Sequence, residues 1–383
     1  MANRQNISDI ELSNEDSLRL NVLLSQKLQA VRIDESKMIL FALTDKGEAS
    51  VVLNPNCRDD RYLRHVRELL STHVLGSPGG YPVYITRWTR MGQERDNTTL
   101  HNLLLLGEPE AVAAVVHAPG LTPALAKLAW WVLPEAEHAR RMLVQPQVAG
   151  SEMAHELAKF LIEYLPFETE PKAIMDSVRL VLQPGLISED ERISLWKRAS
   201  RKGIYYVSFL QANPDNLPES CPAHQEQANI KSQLSVLLAD GNPYALLLSK
   251  ALSSGGQSFL KTAEAAMEKM ADEATSVALF DVMGRYFSGT QLNSASCKNS
   301  SSALAFAKTC VANPDNASRD LTAVLTVVPE QRERITSIIA LSLAGETLLN
   351  SFFSHSDAVG PLMRRKMAPW TAPMLEQIHC LRN

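Results

Sequence analysis

From residue 97 onward, apolar side chains recur at spacings of three and four, and this pattern constrains the fold more than any other feature. Leu125, Leu128, Ala129 and Val132 follow the rule over two turns. Met153, Leu157, Phe160, Leu161 and Tyr164 follow it over three, and Ile174, Val178, Val181 and Leu182 repeat it. Such spacing lines one face of an α-helix with apolar groups. Prolines punctuate the runs. Thr122-Pro123, Glu170-Pro171 and Asn242-Pro243 each put proline in a first helical turn, where its missing N–H is harmless. Ser188 and Glu191 have capping-box spacing, and the helix they open begins with acids and ends Lys197-Arg198. The expectation is an α-helical array in the style of a HEAT-like solenoid, although the start points keep no fixed period. An ordinary globular helical domain is the rival reading. Arg364-Arg365-Lys366 reads as the basic end of a helix, matched to its dipole.

Residues 1–96 read differently. After a polar tail, Ser13 stands as an N-cap ahead of Asp16, and a helix follows to about Ser25. Stretches 29–34, 38–43 and 48–53 have β character, with Asp45-Lys46-Gly47 as a hairpin turn. A helix fits 59–73, Gly76-Ser77-Pro78-Gly79-Gly80 is a loop, and 81–88 reads as a strand. The chain is therefore expected to be mainly α. A small α+β domain occupies 1–96 and a helical array 97–383, with a further division near residue 295 in the Ser/Asn-rich stretch 288–302.

Composition limits the functional classes. Of 383 residues, 45% are hydrophobic and 21% charged, enough for a packed core and too apolar for general disorder. A net charge of −4 argues against nucleic-acid binding over the whole surface, so such a role has to be local. Cys57, Cys221, Cys297, Cys310 and Cys380 are odd in number, scattered and never in a CxxC pair, as reduced cytosolic thiols are. Residues 1–16 hold no apolar leader segment, and no apolar run reaches the roughly 18 residues of a membrane span. A cytoplasmic location away from the membrane is the expectation.

The local basic region lies between Arg58 and Arg95, where seven arginines face four acids. Arg58, Arg61, Arg64 and Arg67 recur every three residues, and Arg87, Trp88 and Arg90 follow with Tyr84 close by. Guanidinium groups beside aromatic rings suit a phosphate backbone and stacked bases, so Arg58, Arg61, Arg64, Arg87, Trp88 and Arg90 are the candidates for an RNA or protein contact. The competing reading pairs the arginines with Asp59, Asp60, Glu68 and Glu94 and buries Trp88. Cys57, beside Arg58 at a helix entry, is a redox candidate, set against an inert small residue. The glycine loop 76–80 lacks a phosphate-loop pattern and precedes a strand, which favours a plain turn. Cys221 and His224 have ligand spacing but no second pair nearby, and His379-Cys380 is the one distant complement. Trp130-Trp131 reads as core plus a groove edge. No hydrolase, zinc-protease, dinucleotide or kinase signature is present, so no catalytic residue, cofactor, metal or small-molecule substrate is expected.

Long strings of the chain resemble the DsrS family, accessory proteins encoded with the reverse dissimilatory sulfite reductase genes of sulfur-oxidising bacteria. They include Leu53-Asn54-Pro55-Asn56-Cys57-Arg58-Asp59-Asp60-Arg61-Tyr62-Leu63, Val74-Leu75-Gly76-Ser77-Pro78-Gly79-Gly80-Tyr81-Pro82-Val83 and Arg87-Trp88-Thr89-Arg90-Met91-Gly92. Val116-His117-Ala118-Pro119-Gly120 and Ser177-Val178-Arg179-Leu180-Val181-Leu182-Gln183-Pro184-Gly185 extend the likeness. It covers about residues 10–220 well and the remainder more loosely. The resemblance implies a cytoplasmic protein without known cofactors, linked to sulfur oxidation through post-transcriptional control of that gene cluster. It supplies no catalytic residues. A non-catalytic accessory or regulatory protein with a protein partner, and with RNA as a second partner class, is the leading expectation. Direct RNA binding as the main activity and thiol chemistry at Cys57 are the alternatives.

Overall fold

The computed structural model describes residues 12–79, 97–290 and 297–383, and the chain divides into two compact units, 1–163 and 164–383. The protein is mainly α-helical, with one small antiparallel sheet near its start and a helical array after it. The strand expected at 81–88, with Arg87, Trp88 and Arg90, lies outside the described residues.

In the first unit, α1 (Asn14–Leu24) starts where Ser13 Oγ accepts from the Asp16 N–H at 3.1 Å. Strands β1 (Leu28–Asp34), β2 (Ile39–Thr44) and β3 (Gly47–Val52) form a meander in that order. Thr44 pairs with Gly47 across the tight turn, and Gly47 takes φ +117°, which side-chain-bearing residues rarely adopt. Helix α2 (Asp59–Leu75) ends on Gly76 at φ +68°, whose N–H bonds Thr72 O at 3.0 Å. Leu20, Leu23 and Leu24 of α1 pack with Val31, Leu40 and Ala42 of the sheet and with Tyr62, Leu63, Val66 and Leu70 of α2. The alternation in the strands and the helical spacing in α2 thus converge on one core.

Among the described residues this unit also holds α3 (Asn97–Leu103), α4 (Pro109–Val116), α5 (Pro123–Val132), α6 (Ala136–Val144), α7 (Pro146–Ala149) and α8 (Met153–Tyr164, save its last residue). The compact units therefore divide at 163/164, whereas pattern and composition place the boundary at 96/97. The reason lies at β1. Val31 donates its N–H to Leu104 O at 2.9 Å, and α5 packs against the strand. Gly107, at φ +65°, passes so close that a Cβ there would stand 3.0 Å from Ile33 Cδ1.

The second unit runs through α9 (Pro171–Val181), α10 (Glu189–Arg198), α11 (Ile204–Ala212), α12 (Gln227–Gln233), α13 (Ser235–Ala239), α14 (Pro243–Leu252), α15 (Ser254–Met267) and α16 (Glu273–Tyr286). It continues with α17 (Ser300–Ala312), α18 (Pro314–Ala317), α19 (Arg319–Val327), a 3-10 turn at Pro329–Gln331, α20 (Arg332–Ser342), α21 (Glu346–Phe353) and α22 (Gly360–Arg382). The expected starts hold: Pro171 and Pro243 occupy first turns, and the Ser188/Glu191 capping box closes in both directions. Both sides of residue 295 belong to this one unit. Helix α22 packs on α14, α15, α17 and α20, so its contacts reach far beyond the nearest neighbours in sequence. Gly284 of α16 lies against the chain between α20 and α21, where a Cβ would meet Ala344 O at 2.0 Å.

One expectation is corrected here. Arg364, Arg365 and Lys366 do not end a helix. They lie near the start of α22, which continues through Pro369 and Pro373. A basic run suits a helix C-terminus by dipole matching, but here it stands in the second turn. In place, Met363, Met367, Met374 and Ile378 bury the helix against its neighbours on both sides of the two prolines.

Among the described residues no single helix is long and apolar enough to cross a membrane. The bent pair Pro329–Ser342 and Glu346–Phe353 passes that test jointly, but its Ile335, Ile338, Ile339, Leu348 and Leu349 are buried in the unit's core.

Candidate functional site

The arginine row on α2 separates into two groups once the helix is placed. Arg67 turns inward. It pairs with Glu35, and its Nε donates to Gly107 O at 3.4 Å. Arg58, at the N-cap, is exposed and stands 3.5 Å from exposed Asp60, a pair worth little in water. Arg61 is half-buried and Arg64 exposed, and among the described residues neither has a carboxylate partner. Glu68 is taken by His65 Nδ1 at 3.1 Å. Of the acids expected to neutralise the row, Asp60 reaches Arg58 and Glu68 reaches His65, while Glu94 lies outside the described residues. Asp59 and Asp60 occupy the first turn, where acids favour the helix dipole. The surface left over is Arg61 and Arg64 with Arg58 beyond them, on a helix anchored by Tyr62, Leu63, Val66 and Leu70.

Cys57 precedes the N-cap of α2, half-buried against the core that holds Tyr62. Its Sγ lies 3.7 Å from Arg58 O, as a thiol donating to a carbonyl does. This is the position of a hydrophobic staple, with Tyr62 one turn into the helix. The other four cysteines all belong to the second unit.

The glycine loop closes the wrong end of a helix for phosphate. It follows the C-terminus of α2, the negative end of the dipole, and Ser71 Oγ donates to Ser77 O at 2.5 Å.

Trp130 lies in the core and Trp131 at its margin. Trp130 is buried, donates Nε1–H to Glu156 at 2.9 Å and meets Phe160 edge to face at 4.9 Å. Trp131 is half-buried and donates to Glu48 Oε2 at 3.1 Å. The guanidinium of Arg32 lies between its ring, at 4.8 Å, and that of Phe41, at 4.6 Å, and reaches the same Glu48 at 3.3 Å. Sequence reading missed this cluster. Arg32 and Trp131 are far apart in the chain, and no local spacing links them.

Cys221 and His224 line a polar cleft of about 630 Å³ in the second unit, with Gln257, Lys261 and Arg382. The segment is held by its main chain: Cys221 N–H donates to Ser258 Oγ at 2.8 Å, and Ser254 Oγ donates to Cys221 O at 2.6 Å. Each cation there has an acid. Lys261 pairs with Glu219 at 2.5 Å, which raises its pKa, Arg334 with Glu226, and Arg382 with Glu264. The hydrogen bond from Arg334 holds the Glu226 carboxyl below its usual range. His379, the distant complement, bonds Glu264 at 2.8 Å instead of joining His224. Among the described residues no group of three His, Cys, Asp or Glu side chains is arranged to hold a metal.

No protein-family model, curated protein or solved structure matches the chain.

Proposed function

We propose that this protein is a non-catalytic accessory or regulatory protein that acts by binding a macromolecular partner through the α2 arginine face. The observation that carries this reading is the pair Arg61 and Arg64, cations without carboxylate partners among the described residues, on a helix fixed by its buried side. Guanidinium groups on a rigid element, with no ion pair to break among the described residues, are pre-oriented for an anionic partner. The resemblance to the DsrS family supplies the setting, a cytoplasmic role in bacterial sulfur oxidation through control of expression of those genes. A protein partner is the leading class, and RNA is the second.

The test is capture from native cytoplasm with the wild-type chain and with Arg58→Ala/Arg61→Ala/Arg64→Ala, identifying protein and RNA in the same eluates. One partner is expected to drop about tenfold or more with the variant, in line with the loss of two or three charge-assisted contacts. If it is RNA, its retention should also fall steeply between 50 and 200 mM salt, a range over which phosphate contacts weaken strongly. Identical captures from both chains would refute the assignment of this face.

Thiol chemistry at Cys57 has its own check. A reactive thiolate would be alkylated well faster than free cysteine at neutral pH. The staple position leads us to expect a rate no higher than that of free cysteine.

A further inference from the structure

A second cleft in the 164–383 unit has a charge balance unlike that of the cleft beside Cys221. It encloses about 420 Å³ where the turn between α10 and α11 meets the start of α9, the end of α15 and the start of α22. Four basic side chains line it: Arg201, Lys202, Lys269 and Arg364. Two acids do so, Glu268 and Asp272. Asp272 is committed as the N-cap of α16. Its Oδ1 accepts from Thr275 N–H and its Oδ2 from Thr275 Oγ1, each at 2.8 Å. Glu268 is exposed, and among the described residues none of the four cations is paired with it.

The two half-buried cations are held by neutral groups. Lys269 Nζ donates to Ser200 O at 3.0 Å, and Arg364 Nη1 donates to Met270 O at 3.0 Å. A carbonyl fixes the direction of a cation without cancelling its charge, so the cleft keeps a positive field. Lys269 is braced further by the main chain at Gly203, where an added Cβ would stand 2.8 Å from Lys269 Cβ. Helix-dipole matching accounts for Arg201, Lys202 and Lys269, which follow the C-terminal ends of α10 and α15. It does not account for Arg364. That residue stands near the positive, N-terminal end of its own helix, where a cation is disfavoured. The same cleft has an apolar wall of Pro171, Ile174 and Ile204.

We infer that this cleft binds a small molecule bearing a diphosphate, its phosphates on Arg201, Lys202, Lys269 and Arg364 and its organic part on Pro171, Ile174 and Ile204. Four cations against a single uncommitted acid suit a ligand with several negative charges better than a monocarboxylate. Planar guanidinium forks and ammonium groups are the usual phosphate partners. The volume falls within the range of small-molecule sites.

Calorimetric titration of the full chain with inorganic pyrophosphate at 50 mM NaCl tests this. Saturable binding at one site is expected. Arg201→Ala/Lys202→Ala, at exposed positions that leave the fold intact, should weaken it about tenfold or more. Arg58→Ala/Arg61→Ala/Arg64→Ala should leave it unchanged, so this result and that for the α2 face are separable. ADP should displace pyrophosphate. Absence of saturable binding, or equal binding by wild type and Arg201→Ala/Lys202→Ala, overturns the site. Failure of ADP to compete overturns the part assigned to the apolar wall.

Discussion

Gly284→Ala is expected to destabilise the 164–383 unit by about 3 kcal/mol, which corresponds to a fall of roughly 6–12 °C in melting temperature for a unit of this size. The added Cβ would stand 2.0 Å from Ala344 O and 3.1 Å from its carbonyl carbon. Those atoms are main chain, so no side-chain rotation can relieve the overlap. Either α16 or the link between α20 and α21 has to move, and both are packed. Leu279, Phe280 and Met283 are buried on one side, and Ile338, Ile339 and Leu348 on the other. Phe287, directly after α16, is buried as well and meets Phe259 of α15 edge to face, so a shift of the helix is felt across the core. Calorimetry of the variant checks this. A melting temperature within a degree of wild type would mean that α16 and residue 344 do not approach as described.

Asp16→Ala is expected to cost the first unit about 3 kcal/mol. The carboxylate is fully buried and accepts from Tyr62 Oη at 2.5 Å, Asn54 N–H at 2.9 Å and Asn54 Nδ2 at 3.0 Å. It ties the first turn of α1 to the segment before α2 and to α2 itself. Removing it leaves three donors facing a cavity. Burial alone would raise its pKa, but the bonds from Tyr62 and Asn54 outweigh that effect and lower it. Burial, with the same carboxylate, pushes the Tyr62 phenol well above its ordinary value. Because the folded pKa lies below the unfolded one, the stabilisation is complete above about pH 4 and is lost as pH falls through the folded value. Asp16→Asn, which cannot ionise, should therefore be less stable than wild type at pH 6, with the gap narrowing toward pH 3. Hydrogen exchange of the β1–β3 amides reads this unit directly. A gap that stays constant with pH would contradict the linkage.

What could be read from the sequence was what short-range chemistry decides. Ser13, Gly47, Thr122, Ser188 with Glu191, and Asn242 act on groups two to four residues away, and each does what its type and position imply. The arginine row was legible as a repeat every three residues along a helix, but which of its members face solvent was not. Contacts between distant segments were not. Nothing near Arg67 announces Glu35 or Gly107, and nothing near Arg32 announces Trp131. The same limit explains the unit boundary, which depends on α5 packing on β1. It explains α22 as well. The local penalty of Pro369 and Pro373 suggests a break, but the burial of Met363, Met367, Met374 and Ile378 offsets it.

The way residues 104 and 107 run along β1 bears on how the protein can be dissected. A recombinant piece stopping at residue 96 would lose the carbonyl that receives Val31 N–H, the close-fitting glycine over Ile33 and the indole that covers Arg32. It would expose a sticky strand margin and an uncovered guanidinium, and it should precipitate or domain-swap. A piece carried on to residue 163 retains all three.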